Sequence, residues 1–250
     1  MIHDAVTPAD RIVFAHGFTQ TARSWSTFDR LMRERLQGLE TLAVDLPGHG
    51  DAPPPPDVGL WESADRLVTA GGAATYVGYS MGGRVTLHAA LTHPGRTRAL
   101  VLIGATAGID DAHERTARRI ADELLADHIE AVGLEHFIDE WLANPLFAGL
   151  TDATALRDDR LRNTAAGLAA SLRATGTGTQ EPLWDRLGEI TCPVLVLAGE
   201  HDTKFRALGE RMAGLLGAST FDVIAGAGHS VHLEQPEATA AAIARWHRTL

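Results

Sequence analysis

The sequence contains one cysteine, Cys192, and one lysine, Lys204, in 250 residues. A lone cysteine excludes an internal disulfide. Cys192 precedes Pro193 at the start of an apolar run, where packing is its expected role. Arginine supplies the remaining 21 cationic side chains, yet the formal net charge is -10. That acidic balance argues against nucleic acid as a partner and repels anionic membranes. An anionic small substrate would need a local basic pocket set against the overall field. No apolar run approaches the ~20 residues of a membrane span. The opening "MIHDAVTPADR" lacks the basic-then-apolar pattern of a secretion signal. With the single thiol, these absences give the cytoplasm as the expected location. No internal repeat is present. His229 and His232 have no third ligand at suitable spacing, which argues against a metal site there; no metal and no organic cofactor are expected.

Apolar residues make up 45% of the chain, enough for one large α/β domain with a full core and an inserted segment. Short apolar runs start at Ile12, Thr41, Ala74, Ala99, Pro193 and Ser219. Several lack alternation, as strands buried on both faces should. Helical patterns separate them: Trp25 to Leu36, Trp61 to Ala70, Met81 to Thr92, Phe205 to Leu216 and Glu237 to Arg248. This alternation predicts a mostly parallel, doubly wound sheet with its site at the strand C-terminal ends. From about Ala107 to Leu187 no strand pattern appears; three or four helices are expected. The predicted organisation is a core of residues 1–106 and 188–250, interrupted by a helical lid of residues 107–187. "DAPPPP", Asp51 to Pro56, reads as a stiff extended loop.

The chemistry centres on "YVGYSMGGRV". Ser80 lies in Gly-x-Ser-x-Gly between a strand pattern and a helix pattern, the context of a nucleophile elbow. Gly78, Gly82 and Gly83 permit the sharp turn. A serine needs a base within hydrogen-bond reach. His229, after the Gly-rich turn of "AGAGHS", is favoured over His232. Asp202 in "LAGEHDTKF" is the acid placed to orient it, chosen over Glu200. The order Ser80, Asp202, His229 is that of α/β-hydrolases. "FAHGFTQT" would set the Phe18 backbone N–H beside that of Met81 as an oxyanion hole. His49 in "DLPGHG" is expected to brace a loop near the site.

"HGFTQT", "DLPGHG", "VGYSMGGR", "EWLANPLF", "LRNTAAGLAASLRATGTG", "LAGEHDTKF" and "GHSVHLEQP" together resemble the 2-succinyl-6-hydroxy-2,4-cyclohexadiene-1-carboxylate synthases of menaquinone biosynthesis. The resemblance runs from about Ile12 to Glu237. "GYSMGGR", "WLANPLF" and "DTKF" are its specific parts; "HGF", "DLPGHG" and "GHS" are generic to the α/β-hydrolase superfamily. It implies a lyase that expels pyruvate from an enolpyruvyl cyclohexene tricarboxylate. Ser80, His229 and Asp202 would abstract a proton next to the succinyl ketone. By motif position, the family's carboxylate-binding arginines fall on Arg84, Arg118 and Arg162. Its tryptophan falls on Trp141, and Tyr79 also matches. Arginine suits the task because its planar fork and fixed charge match a carboxylate. Arg160 and Arg157 are neighbours of Arg162, and the choice leans on the spacing to Gly167. Lys204 falls in the motif without an assigned role. Two rival readings stay open at this point: a serine hydrolase of an ester, lactone or C–C bond, and a binding protein on the same fold. Arginines converging near Ser80 would favour the lyase.

Overall fold

The structure, a computed structural model, describes residues 11–53 and 58–250. The opening segment through Asp10 and most of the proline run, Pro54 to Pro56, lie outside the described residues.

The apolar runs form strands β1 (Arg11–Ala15) and β2 (Glu40–Val44), with helix α1 (Ser26–Arg35) between them. Helix α2 (Leu60–Gly71), strand β3 (Ala74–Tyr79), helix α3 (Met81–Thr92) and strand β4 (Thr97–Ile103) follow. The chain then leaves the sheet through α4 (Ala112–Val132), α5 (Leu134–Leu142), α6 (Asp152–Ala155), α7 (Arg157–Arg160) and α8 (Ala165–Thr175). It returns with β5 (Val194–Gly199), α9 (Thr203–Leu215), β6 (Ser219–Ile224), α10 (Val231–Glu234) and α11 (Pro236–His247).

All six strands pair in parallel, in the order β2-β1-β3-β4-β5-β6. Every residue of β3 and β5 is buried, which explains their unbroken apolar sequence, whereas the edge strands β2 and β6 are partly exposed. One face packs Val13, Tyr76, Leu100 and Val196 against α2, α3 and α9. The other packs Ile12, Phe14, Val77 and Val101 against Trp25, Phe28, Met32 and Ile243 of the α1 and α11 side. Strand order reverses at β1, with β2 on one side and β3 on the other, so the crevice between β1 and β3 opens at their C-terminal ends.

The helical segment between β4 and β5 has its own apolar centre. Ala126 and Ile129 of α4 meet Phe137 and Ile138 of α5 and Leu168, Ala169 and Leu172 of α8. Asp111 caps α4 by accepting the His113 and Glu114 N–H groups, and Gly133 ends it at φ +81°. Arg173 of α8 reaches Glu123, Asp127 and Glu130 along α4, pinning the two helices together at the surface. Among the described residues no helix is long and apolar enough to cross a membrane.

Helix α3 approaches β1 closely at Gly82. A β-carbon on Gly82 would press into the backbone carbonyls of Ala15 and His16. Neither can yield, because β1 is paired on both sides. Gly82→Ala should therefore destabilise the protein by about 1–3 kcal/mol. At about 2–4 °C per kcal/mol for a domain of this size, calorimetry should show Tm falling by several degrees. Gly188→Ala, where a β-carbon has nothing within 4 Å, is the control; an equal Tm loss there would refute the close-approach argument.

Candidate active site

Ser80 is the single residue between the end of β3 and the start of α3. Its φ of +51° and ψ of -106° lie outside the ordinary regions for a side-chain-bearing residue. The conformation is held from both sides. The Ser80 N–H donates to Ile103 O at 2.8 Å, and the Ser80 carbonyl accepts the Arg84 N–H at 3.1 Å. This turn presents the hydroxyl at the crevice and aims the start of α3 at the same space.

Two further strand ends supply the rest. His229 follows β6, and its Nδ1 lies 2.7 Å from Asp202 Oδ2, while Nε2 lies 3.3 Å from Ser80 Oγ. A carboxylate can only accept, so Nδ1 carries the proton and Nε2 offers its lone pair to the serine. Asp202 follows β5 and caps α9, accepting the Phe205 N–H through Oδ1 at 3.2 Å. The cap and the histidine therefore use different oxygens of one carboxylate. The Phe205 ring lies 4.5 Å from that of His229, tilted by 46°.

Phe18 and Met81 line the same cavity as Ser80. Met81 opens α3, so its N–H has no partner one turn back. The Gly17–Phe18 peptide is fixed by His16. His16 Nε2 accepts the Leu46 N–H at 3.0 Å, so Nδ1 is the protonated nitrogen and donates to Gly17 O at 2.9 Å. Burial holds His16 neutral by pushing its pKa down. His49 is also held neutral, first by burial and then by the charge His16 would carry; its Nε2 accepts the Thr19 N–H at 3.3 Å. His49 thus braces the loop from the side.

Helices of the inserted segment close the space above Ser80 into a cavity of about 310 Å³. Its wall holds four cationic side chains, Arg84, Arg118, Arg160 and Lys204, and one carboxylate, Asp122. Asp122 is already committed. Its Oδ1 accepts Arg118 Nε at 2.6 Å and its Oδ2 accepts the Gly178 N–H at 3.0 Å. Arg84 is buried and gives one nitrogen to Thr175 O at 2.6 Å. Its pKa is pulled down to about 10, chiefly by burial and then by neighbouring Arg118. Arg160, 1% exposed, donates to Ala155 O at 2.8 Å and to Thr19 Oγ1, and burial likewise takes it to about 10. Both remain charged at neutral pH, and among the described residues neither has a carboxylate partner within ion-pair distance. Bringing these charges together in a dry space is unfavourable without an anion.

A sequence profile of the alpha/beta hydrolase family matches residues 12–242. A Salmonella agona protein named 2-succinyl-6-hydroxy-2,4-cyclohexadiene-1-carboxylate synthase is 35% identical over 237 residues, covering 91% of this chain and 90% of that one. A Bacillus subtilis protein given the same name provisionally is 37% identical, over 91% of this chain and 86% of its own. Among solved structures, MenH from S. aureus superimposes with a TM-score of 0.89 at 30% identity, over 98% of this chain and 96% of that one. The chain belongs to the 2-succinyl-6-hydroxy-2,4-cyclohexadiene-1-carboxylate synthase family, within the α/β-hydrolase fold.

Of the residues this family resemblance singles out, Tyr79, Arg84, Arg118 and Trp141 line the cavity. The Tyr79 hydroxyl is engaged below it with Ser230 Oγ at 2.6 Å, so Tyr79 offers the cavity its ring. Trp141 packs on Phe18 at 5.3 Å, and its buried indole N–H has no hydrogen-bond partner in the described structure. Arg162 is the correction. It does not line the cavity; its nearest carboxylate is Asp51, 3.7 Å away on the outer side of the loop. Arg160, two residues earlier, stands in the wall. Arg160 is the last residue of α7, whereas Arg162 lies in the turn that follows it, outside the helix. Lys204 and Phe205 also belong to the wall. Their signal was the adjacency to Asp202 at the start of α9.

The cationic wall can be probed with citrate, a tricarboxylate with no reactive group. Arg160→Gln should weaken citrate binding by roughly tenfold or more, at about 1.4 kcal/mol per tenfold, whereas Arg162→Gln should leave it within about twofold. Calorimetric titration would read both, with Tm as the folding check. Greater loss in the Arg162 variant would reverse the assignment.

Proposed function

We propose that the chain eliminates pyruvate from 2-succinyl-5-enolpyruvyl-6-hydroxy-3-cyclohexene-1-carboxylate, in menaquinone biosynthesis. The observation that carries this reading is the concentration of Arg84, Arg118, Arg160 and Lys204 around Ser80, in a chain whose relatives are named for the resulting diene. A tricarboxylate supplies the anions that such a wall lacks. A neutral ester does not.

The substrate and product names fix the bond changes. A 3-ene becomes a 2,4-diene, so a proton leaves C2, next to the succinyl ketone. The ring double bond shifts, and the C5–O bond breaks to release enolpyruvate, which takes up a proton to become pyruvate. His229 Nε2 draws the proton from Ser80 Oγ, and the serine oxygen takes the C2 proton. Asp202 balances the imidazolium that forms. The ketone oxygen gains negative charge as the enolate develops, and the Phe18 and Met81 N–H groups receive it. A hole that suits a tetrahedral oxyanion suits an enolate oxygen equally. The ring and succinyl carboxylates fall to the arginines and the Trp141 indole. No metal or redox group takes part in these steps. Residues 107–187 act as the lid over a core of 1–106 and 188–250. The cytoplasm is the compartment in which this reading places the chain.

Pyruvate release, followed with a coupled lactate dehydrogenase, tests the reading directly. Ser80→Ala, His229→Ala and Asp202→Asn should each cut turnover severely, and combinations should add little to the worst single loss. Near-normal turnover by Ser80→Ala would remove the serine as base. Arg84→Ala should lower kcat/KM by roughly 30-fold to several-thousand-fold, the effect of unpairing a desolvated charge worth ~2–5 kcal/mol. Hydrolysis of a small neutral ester should change little in that variant. Equal losses on both substrates would make Arg84 a support of the elbow.

A further inference from the structure

Thr19 is the residue after the oxyanion donor Phe18, and its φ is +68°. A β-branched residue in the left-handed region is a genuine outlier and persists only where its surroundings over-determine it. Here every polar group of Thr19 is held. Its N–H donates to His49 Nε2 at 3.3 Å, its carbonyl accepts Asn163 Nδ2 at 2.7 Å, and its hydroxyl accepts from Arg160. Two of these three partners come from the inserted helical segment rather than from the core.

Asn163 is the hub. It is 5% exposed, and both the oxygen and the nitrogen of its side-chain amide are used. Besides Thr19 O, its Nδ2 donates to Arg160 O at 2.8 Å, and its Oδ1 accepts the Gly50 N–H at 2.9 Å. It therefore ties the turn after α7 to the loops that follow β1 and β2. Asp159 adds a second tie to the same loop, accepting Thr21 Oγ1 at 2.6 Å and the Thr21 N–H at 3.3 Å. Thus residues 159, 160 and 163 grip residues 19 and 21 and leave Phe18 at the edge of a clamped segment.

We infer that Asn163 is a positioning residue that sets the Phe18 N–H in the oxyanion hole through the Thr19 carbonyl, so that hole geometry depends on docking of the 159–163 turn. The inference rests on the oxyanion-hole role of Phe18 given above. Asn163 itself does not line the cavity, and its effect reaches the reacting atoms only through the loop.

A misplaced oxyanion donor should lose part of the ~10²–10³ in kcat that outright removal costs. Asn163→Ala is therefore expected to lower kcat by about 10- to 100-fold on the enolpyruvyl tricarboxylate. KM should move less than about threefold, because the arginine wall remains. The loss should be matched on p-nitrophenyl acetate, which also develops an oxyanion but carries no carboxylate. Thr21→Val, which removes the Oγ1 tie to Asp159 together with the Oγ1 cap on the Arg23 N–H, should show a smaller loss of the same kind and gives a reading if Asn163→Ala folds poorly. A rise in KM confined to the tricarboxylate would mean that Asn163 acts through Arg160, and unchanged kcat in folded variants would mean that the ties only add stability; either result overturns the proposal. If the unmodified protein hydrolysed the ester but released no pyruvate, the lyase reading would fall, and the kcat loss on the ester would still decide the role of Asn163.

Discussion

The chain must reverse direction at Ser80 within one residue, and the strand-to-helix geometry of the whole site follows from that. A serine at φ +51° stores strain, of order 1–3 kcal/mol, and the sheet holds it there. β3 is paired on both sides, its end is pinned by Ile103, and α3 lies so close to β1 that only glycine fits at position 82. The same close approach carries the α3 N-terminus to the end of β1, where the Phe18 loop begins. The Ser80 hydroxyl, the Met81 N–H and Arg84 are thus set by one helix-on-sheet contact.

A second constraint is electrostatic. The chain is strongly acidic, with a net charge of -10, yet its cavity wall is cationic. Surface arginines answer their own acids: Arg157 pairs with Asp139 and Glu135, Arg173 with three carboxylates of α4, and Arg186 with Glu189. Arg84 and Arg160 instead lie buried against backbone carbonyls and hydroxyls, which satisfy donors without cancelling charge. The low dielectric around them strengthens their pull on any anion that enters. The acidic exterior confines that pull to the cavity.

The inserted helices therefore have two tasks. They bring Arg118, Trp141 and Arg160 over Ser80, and through Asn163 and Asp159 they brace the loop that carries Phe18. The cavity-lining Arg160 and the ties to the Phe18 loop share one short turn. His49 supplies the core's side of the same brace and is kept neutral by burial, so its Nε2 stays an acceptor.

The sequence alone determined the alternation of strands and helices, because burial on two faces imposes unbroken apolar runs and amphipathic helices leave a different period. It also determined the elbow at Ser80 and the order of Ser80, Asp202 and His229, since those residues stand at strand ends whose positions are set by the runs before them. Arg84 was legible for the same reason, lying one turn into a helix whose start is marked. Arg160 was not. Between α6 and α8 the chain passes through short turns, Leu156 adopts a left-handed conformation, and no periodicity says which arginine of "RDDRLRN" faces inward. Thr19 and Asn163 were equally silent, being 144 residues apart and joined only by side-chain-to-backbone hydrogen bonds. Local pattern fixes what a strand or a long helix presents. Where the backbone turns every few residues, side-chain direction is decided by packing against distant segments, and only the tertiary structure holds that information.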